Sequence, residues 1–418
     1  MKLPDSLRAF RHPDYRMFFA GQLVSQIGTW MQSVGQSWLI VTLTSSALKL
    51  GLISTLQFLP TLLFALFGGA LADRLPKRKT LIGTQSILMI LAFVLSALVL
   101  THHVQYWHVA VLAALLGLTN TLDMPVRQAY TVEMVGGRED LGNAIALNSA
   151  LFNGARLVGP AVAGLLIAKY GVGLAFFLNG VSFLAVIVAL FFMKAQGLPR
   201  PRANRSILKD VGEGLRYSYA TPVVFLLLSL LFFIGLFVIN FQVLIPVLAK
   251  QVLGGDARTY GYLMSSLGAG ALLGAMGLAH FSAKGKSNLN LLVTMGLLLC
   301  TVTASVFFIH SFWLACVGLF MMGVTQITYT ASTNTTLQVT APDEMRGRVM
   351  SLYQLAFAGT TPFGSLFTGA VIERWNGSAG FLVDGGIGLI LALGLLLWWQ
   401  WRRGRSGLRG SGGLAAGM

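Results

Sequence analysis

Four glycines recur half a chain later. Gly142, Gly154, Gly159 and Gly164 return as Gly347, Gly359, Gly364 and Gly369, each pair 205 residues apart (142 to 347, 164 to 369). A basic loop recurs at nearly the same offset. Asp73, Lys77 and Lys79 in ADRLPKRK stand opposite His280, Lys284 and Lys286 in AHFSAKGK. Between these landmarks the chain is apolar in runs of about 20 residues, long enough to cross a bilayer as a helix. Internal duplication in such a chain implies two copies of one membrane unit fused head to tail, an arrangement found in many secondary transporters.

Composition agrees. Only 11% of the 418 residues are charged and 55% are hydrophobic, where a soluble chain carries about a quarter charged residues. The apolar runs predict twelve helices, near residues 17–43, 49–72, 80–101, 108–134, 142–168, 174–194, 222–252, 259–281, 288–309, 312–340, 346–372 and 378–401. The expected fold is an all-α integral membrane protein with two pseudo-symmetric six-helix halves. Residues 1–194 form the first bundle, 195–221 a cytoplasmic linker, 222–401 the second bundle and 402–418 a disordered basic tail. Within the linker, ILKDVGEGLRYSY is either a short amphipathic helix on the membrane surface or plain solvated chain. No cleavable leader is expected at the N-terminus.

The net charge of +16 raises the question of nucleic acid, and position answers against it. With the N-terminus inside, 23 of the 30 Lys and Arg fall in inner segments, five outside, and two, Arg127 and Arg156, within helices. That bias sets both termini in the cytoplasm, with contact to anionic lipid headgroups. Cys300 and Cys316 lie in predicted helices without metal-ligand spacing and read as small buried apolar residues. His102, His103 and His108 read as a surface cluster, and no metal site is expected. No H-E-x-x-H, G-x-S-x-G or Walker loop occurs, so neither an enzyme nor an ATP-driven pump is expected.

After helix two runs Gly69-Ala-Leu-Ala-Asp73-Arg74-Leu-Pro-Lys77-Arg78-Lys79. A carboxylate at an inner helix end can pair with a cation or accept backbone N–H groups, holding one conformation shut. Gly69 would allow close helix approach there. This run resembles the loop motif of the major facilitator superfamily: Gly, three residues, Asp, a basic residue, then a basic cluster, with Pro76 where Gly is usual. The second copy, with His280 for the Asp, is similar too. The resemblance spans Pro13 to about Trp399. It implies gating roles for Asp73, Arg74 and Arg78, with Glu133 and Arg138 as their partners below helix four. Arg346, in PDEMRGRVMS before helix eleven, joins this gating set. That stretch, DMPVRQAY and EDLGNAIALN together resemble the drug-exporter branch with enterobactin-exporter-like and macrolide-efflux-like members.

Asn120, Asp123, Arg127 and Thr131 share one helical face. A charge within a span is costly and points to function with a named partner; here the expected role is coupling, through Asp123 with Arg127 and Arg156. Arg127 is that partner, and Arg156 of helix five lies about level with Asp123. Two nearby cations favour ionised Asp123, and their surplus positive charge suits an anionic substrate. The alternative is an ion pair that locks helix four to helix five. Gly154, Gly159, Pro160 and Gly164 in GARLVGPAVAG should pack helix five closely and bend it. This stretch partly resembles the helix-five motif of superfamily exporters.

Amides and aromatics that could line a central cavity are Gln22, Gln26, Trp30 and Gln36, Asn120 and Asn148, then Asn240, Gln326, Tyr329 and Tyr353. Asp384, early in helix twelve, is expected as a partly solvated helix-end acid, with a second proton site as the alternative. The expected function is a proton-coupled exporter of an amphipathic organic compound, siderophore or drug-like, in a bacterial cytoplasmic membrane. It would act as a monomer by alternating access, with the proton gradient as energy source and no cofactor. An importer or uniporter of the same fold, or a sensor without transport, are the alternatives.

Overall fold

The computed structural model describes residues 5–136, 140–197, 207–282 and 289–405. Among them every regular element is helical. A short 3₁₀ turn, Asp5–Arg11, leads into α1 (Pro13–Thr44), α2 (Ala47–Arg74), α3 (Lys77–Leu100), α4 (Tyr106–Met134), α5 (Leu141–Tyr170) and α6 (Val172–Phe192). There follow α7 (Ile207–Ala220), α8 (Pro222–Phe237), α9 (Phe241–Val247) with a π-helical turn at Leu248–Val252, α10 (Ala257–Ser282) and α11 (Leu289–Ser305). The last are α12 (Phe312–Thr340), α13 (Asp343–Ala358), α14 (Thr361–Arg374) and α15 (Ala379–Arg405).

Eleven of the described stretches are long and apolar enough to cross a bilayer. The twelfth is α1, whose 32 residues include Gln22, Gln26, Gln32 and Gln36 and are therefore less apolar. Two expected spans are broken helices. α8 stops at Phe237 and resumes as α9 after Asn240, and α13 stops at Ala358 before Thr361-Pro362 opens α14. Proline at the first turn of α14 suits a new start, since it has no N–H to leave unpaired. Of the two readings of the linker, the helix is found, at Ile207–Ala220.

The chain divides into two compact units, Met1–Asn204 with Gly254–Ser265, and Arg205–Leu253 with Ser266–Met418. In the first, α1 lies along α6 and α5, α2 along α4, and α3 along α4 and α6. The sequence permits this by placing Gly21, Gly28 and Gly35 seven apart on α1. A side chain at each would run into α6, at Ala185, at Asn179 and Ser182, and at Phe176. Without an apolar-to-lipid transfer gain, close backbone packing of this kind holds membrane helices together. In the second unit α15 packs on α11 and α8, α11 on α12, and α13 on α7 and α8. Large apolar side chains such as Phe191, Phe192, Ile390 and Leu397 point away from both cores, as lipid-facing residues must.

Candidate functional site

In the first unit a buried polar network is built around Asp123 of α4. Its carboxylate accepts from Thr84 Oγ1 at 2.6 Å and Gln85 Nε2 at 2.8 Å, both on α3. Arg127, one turn on, closes a two-pronged ion pair, with Nε at 3.1 Å from Oδ2 and a second, shorter contact from its terminal nitrogen. The other terminal nitrogen of Arg127 donates to Gln22 Oε1 on α1. Asp123 thus accepts from four donor groups, two of them on one guanidinium. Arg156 does not share it. Its guanidinium stands over the Trp30 ring, 5.9 Å from the centroid, and Trp30 in turn meets Phe152 edge-on at 5.7 Å.

One face of α1 therefore carries both cations at different heights. Gln22 holds Arg127 and Trp30 holds Arg156, eight residues or about 12 Å along the axis. Half-buried Gln26 lies between them on the same face. Gln36 is engaged elsewhere, with Gln57 of α2 at 3.2 Å. Asn120 is half-buried, and Asn148 accepts from the Tyr15 hydroxyl at 3.0 Å.

The helix ends around Lys77, Glu133 and Phe192 are tied by a second network. Glu133 pairs with Lys77 at 2.8 Å, with both side chains largely buried. Arg78 donates to the last carbonyls of α6, Leu190 and Phe191, at 2.6 Å each, the position at which a cation complements the helix dipole. Asp14 receives the backbone N–H groups of Lys194 and Ala195, the Tyr130 hydroxyl donates to Ala195 O, and Lys77 N–H donates to Gly197 O. Arg8 and His12 both reach Asp140, at 3.2 and 3.0 Å. The His12 hydrogen bond, then Arg8 and the more distant Arg11, hold the Asp140 carboxyl below its ordinary 3.8 against an opposing effect of burial.

Of the expected gating residues, Arg74 is exposed, and Arg346 donates to Gln338 O at 2.9 Å. Arg138, Lys284, Lys286 and the tail beyond Arg405 lie outside the described residues, as do the side chains of Asp73 and His280. The glycine expectations need two corrections. Gly69 and Gly154 face open space. Close approach occurs instead at Gly68, against Thr121, because the helix turns its neighbour and not Gly69 towards α4. Gly159 does pack on Ile27 and Trp30, and Gly164 on Ala257 and Gly261. Pro160 is buried.

In the second unit Tyr329 is 0% exposed, with its ring beside Gly296 of α11, and it lines a small apolar cavity with Leu230, Ile234 and Val293. Gln326 is buried on the same helix, and Tyr353 is buried, stacked on Phe357 with its hydroxyl 3.4 Å from Thr330 O. Asn240 is buried where α8 breaks, its amide nitrogen donating to Leu236 O at 2.9 Å. Asp384 is not a solvated helix-end acid: it is 0% exposed, and Thr368 Oγ1 of α14 donates to its Oδ2 at 2.5 Å.

A family model described as "transmembrane secretion effector", within the major facilitator superfamily, matches residues 5–407. The chain belongs to that family. A staphyloferrin A transporter of Staphylococcus aureus is 24% identical over 84% of this chain and 87% of its own length. The multidrug efflux pump Tap of Mycolicibacterium fortuitum is 27% identical over 89% and 92%. An enterobactin exporter, EntS, of Escherichia coli O1:K1 is 27% identical over 82% and 81%. The nucleoside transporter NupG shares the fold, with a TM-score of 0.73 over 95% of this chain and 100% of that one at 11% identity. The major facilitator fold and the efflux branch expected from the sequence are both found. Family and fold are those of multi-pass membrane transporters.

Within this secretion-effector chain, sequence reasoning missed Thr84 and Gln85 as partners of Asp123 and Lys77 as partner of Glu133. Thr84-Gln85 had a signal: two adjacent polar residues inside LIGTQSILMI, an otherwise apolar run. Lys77 had none, since the basic cluster offers four equivalent cations.

Proposed function

We propose that this protein is a proton-coupled exporter of an amphipathic organic compound, siderophore or drug-like, working by alternating access in a bacterial cytoplasmic membrane with both termini inside. Membership of the secretion-effector family, with drug and siderophore transporters among its relatives, supports export. The observation that carries the substrate class is the α1 face. Two guanidiniums, one held by Gln22 and one over Trp30 two turns further along α1, alternate charge with aromatic surface. An arginine fork matches carboxylate or phenolate oxygens and stacks on flat rings. A compound with an acidic and an aromatic part fits that pattern, so the reading leans to the anion. Asp123 serves as the fixed counter-charge that positions Arg127, while Glu133, Lys77 and Arg78 hold the inner ends of the helices.

The test is proton movement in everted membrane vesicles with an acidic lumen, followed with a pH-sensitive dye. Adding a catecholate siderophore should release protons and adding ethidium should release fewer. Both responses should vanish in vesicles without the protein. Folded protein in the membrane and no release with either compound would overturn the proposal; release with ethidium alone would overturn its anionic lean.

A further inference from the structure

The second unit contains a carboxyl group that the network around Asp123 does not use. Asp384 stands in the second turn of α15 and is 0% exposed. Its Oδ2 accepts from Thr368 at 2.5 Å, while Oδ1 is buried with no hydrogen-bond partner. The Asn240 side chain lies against the same carboxyl. Asn240 donates its amide nitrogen to Leu236 O, which fixes the orientation of the amide, because a flipped amide would set two oxygens face to face. Its Oδ1 is also buried without a donor. The Asp384 carboxyl thus keeps one oxygen, Oδ1, buried without a hydrogen-bond partner, and a proton on that oxygen leaves a neutral acid there.

The surroundings do not offer a cation instead. α8 and α9 carry no titratable side chain. α11 brings only the Cys300 thiol, which faces Gly388 one turn further along α15. Glu373 and Arg374, at the far end of α14, are exposed, as is Lys250 beyond α9. Arg402 is 18 residues away on α15, about 27 Å along the helix. Among the described residues none forms an ion pair with Asp384. Burying a carboxylate without a cation costs far more than burying the neutral acid, and an ionisable residue so placed in a span points to function.

We propose that Asp384 is a proton-binding site of this transporter, with Thr368 and Asn240 as its positioning residues. The proton adds to Oδ1, forming a neutral O–H that donates within the site, and leaves again as the site opens. The inward-directed proton step rests on the exporter reading, under which the second turn of α15 lies near the outer face and meets protons from outside. The existence of the site does not rest on that reading.

Two measurements separate these. Infrared difference spectra of the purified full chain in lipid, recorded across a pH titration, read the carbonyl stretch of protonated carboxylic acids without any substrate. The wild type should show a band that fades as pH rises. Asp384→Asn, which preserves shape and can accept from Thr368, should lack it. Asp384→Glu should keep a titrating band at a shifted position, which covers the case of a poorly folded Asn variant. Thr368→Val should move its midpoint. No band that depends on Asp384, or one that never responds to pH, overturns the site. In everted vesicles Asp384→Asn should lose proton release evoked by the catecholate while retaining exchange of labelled catecholate across the membrane. Unchanged release would show that the coupled proton is carried elsewhere. A wild type that releases no protons, yet shows the infrared titration, would sink the exporter reading and leave the site standing.

Discussion

The ion pair between Asp123 and Arg127 gives the sharpest energetic prediction. Asp123→Asn keeps one oxygen for Thr84 and Gln85 but turns an NH₂ group towards a guanidinium that can only donate. Removing one partner of a buried pair costs about 3–5 kcal/mol. The Arg127 side chain is 24% exposed and also holds Gln22, so water relieves part of its charge. The lower end, about 3 kcal/mol, is expected for this variant. Arg127→Gln leaves the 2%-exposed carboxylate with only two neutral donors and should cost at least as much. The double variant buries no unpaired charge, so its loss should fall short of the sum of the singles by about 2–3 kcal/mol, within the range measured for residues in contact. The assay is unfolding in mixed micelles by SDS, followed by helicity, on all four proteins. Additivity to within about 0.5 kcal/mol would refute the coupling. Transport by the double variant then separates lock from function: a stable but inactive double variant assigns the charges to the cycle, while recovered transport assigns them to structure.

Gly117→Ala should strongly lower thermal stability in detergent, because the added methyl meets the Gln57 carbonyl of α2, whereas Gly83→Ala, with open space beside it, should leave stability unchanged or slightly raised. Gly197→Ala should cost about 1–2 kcal/mol from its left-handed backbone alone, at φ +66°. Its methyl also presses on Lys77, so hydrogen exchange should quicken at the Lys77 amide; unchanged exchange there would contradict the contact. Asp140 has a lowered carboxyl value, so its contribution is present above the ordinary 3.8 and is lost as pH falls through the lowered value. Proteolysis of the N-terminal turn should therefore rise only below pH 3.8 in the wild type but at all pH values in Asp140→Asn; identical profiles would refute the docking role.

The fold was legible because a bilayer leaves few options. Every backbone polar group in lipid must be satisfied within its own helix, so apolar length finds eleven of the spans, and only the glutamine-bearing α1 falls short. Interruptions were harder. Nothing apolar marks the break between Phe237 and Phe241; a polar Asn240 in a long apolar run is the only sign, and the chain spends that residue on a buried site. Glycine spacing foretold close packing but not its direction. Gly68 and Gly69 differ by about 100° around the helix, and only the neighbour's position decides which one is in contact.

The two intramembrane acids show where residue-by-residue reading stops. In sequence Asp123 looks exceptional, since Arg127 follows it by one turn, and Asp384 looks ordinary, since it begins a helix among small residues. The structure reverses their chemistry. Thr84 and Gln85 from α3 complete the shell of Asp123, and Gln22 from α1 holds its partner Arg127. Gly380, Gly385 and Gly388, all small residues near the start of α15, draw neighbouring helices in around Asp384 and exclude water from it. An acid can carry a proton only if both its forms are affordable in place. Asp123 has four donor groups around it. At Asp384 the Thr368 hydroxyl binds one oxygen and the other is buried without a hydrogen-bond partner. The glycines that announce helix packing in the sequence are thus also what buries the carboxyl beside them.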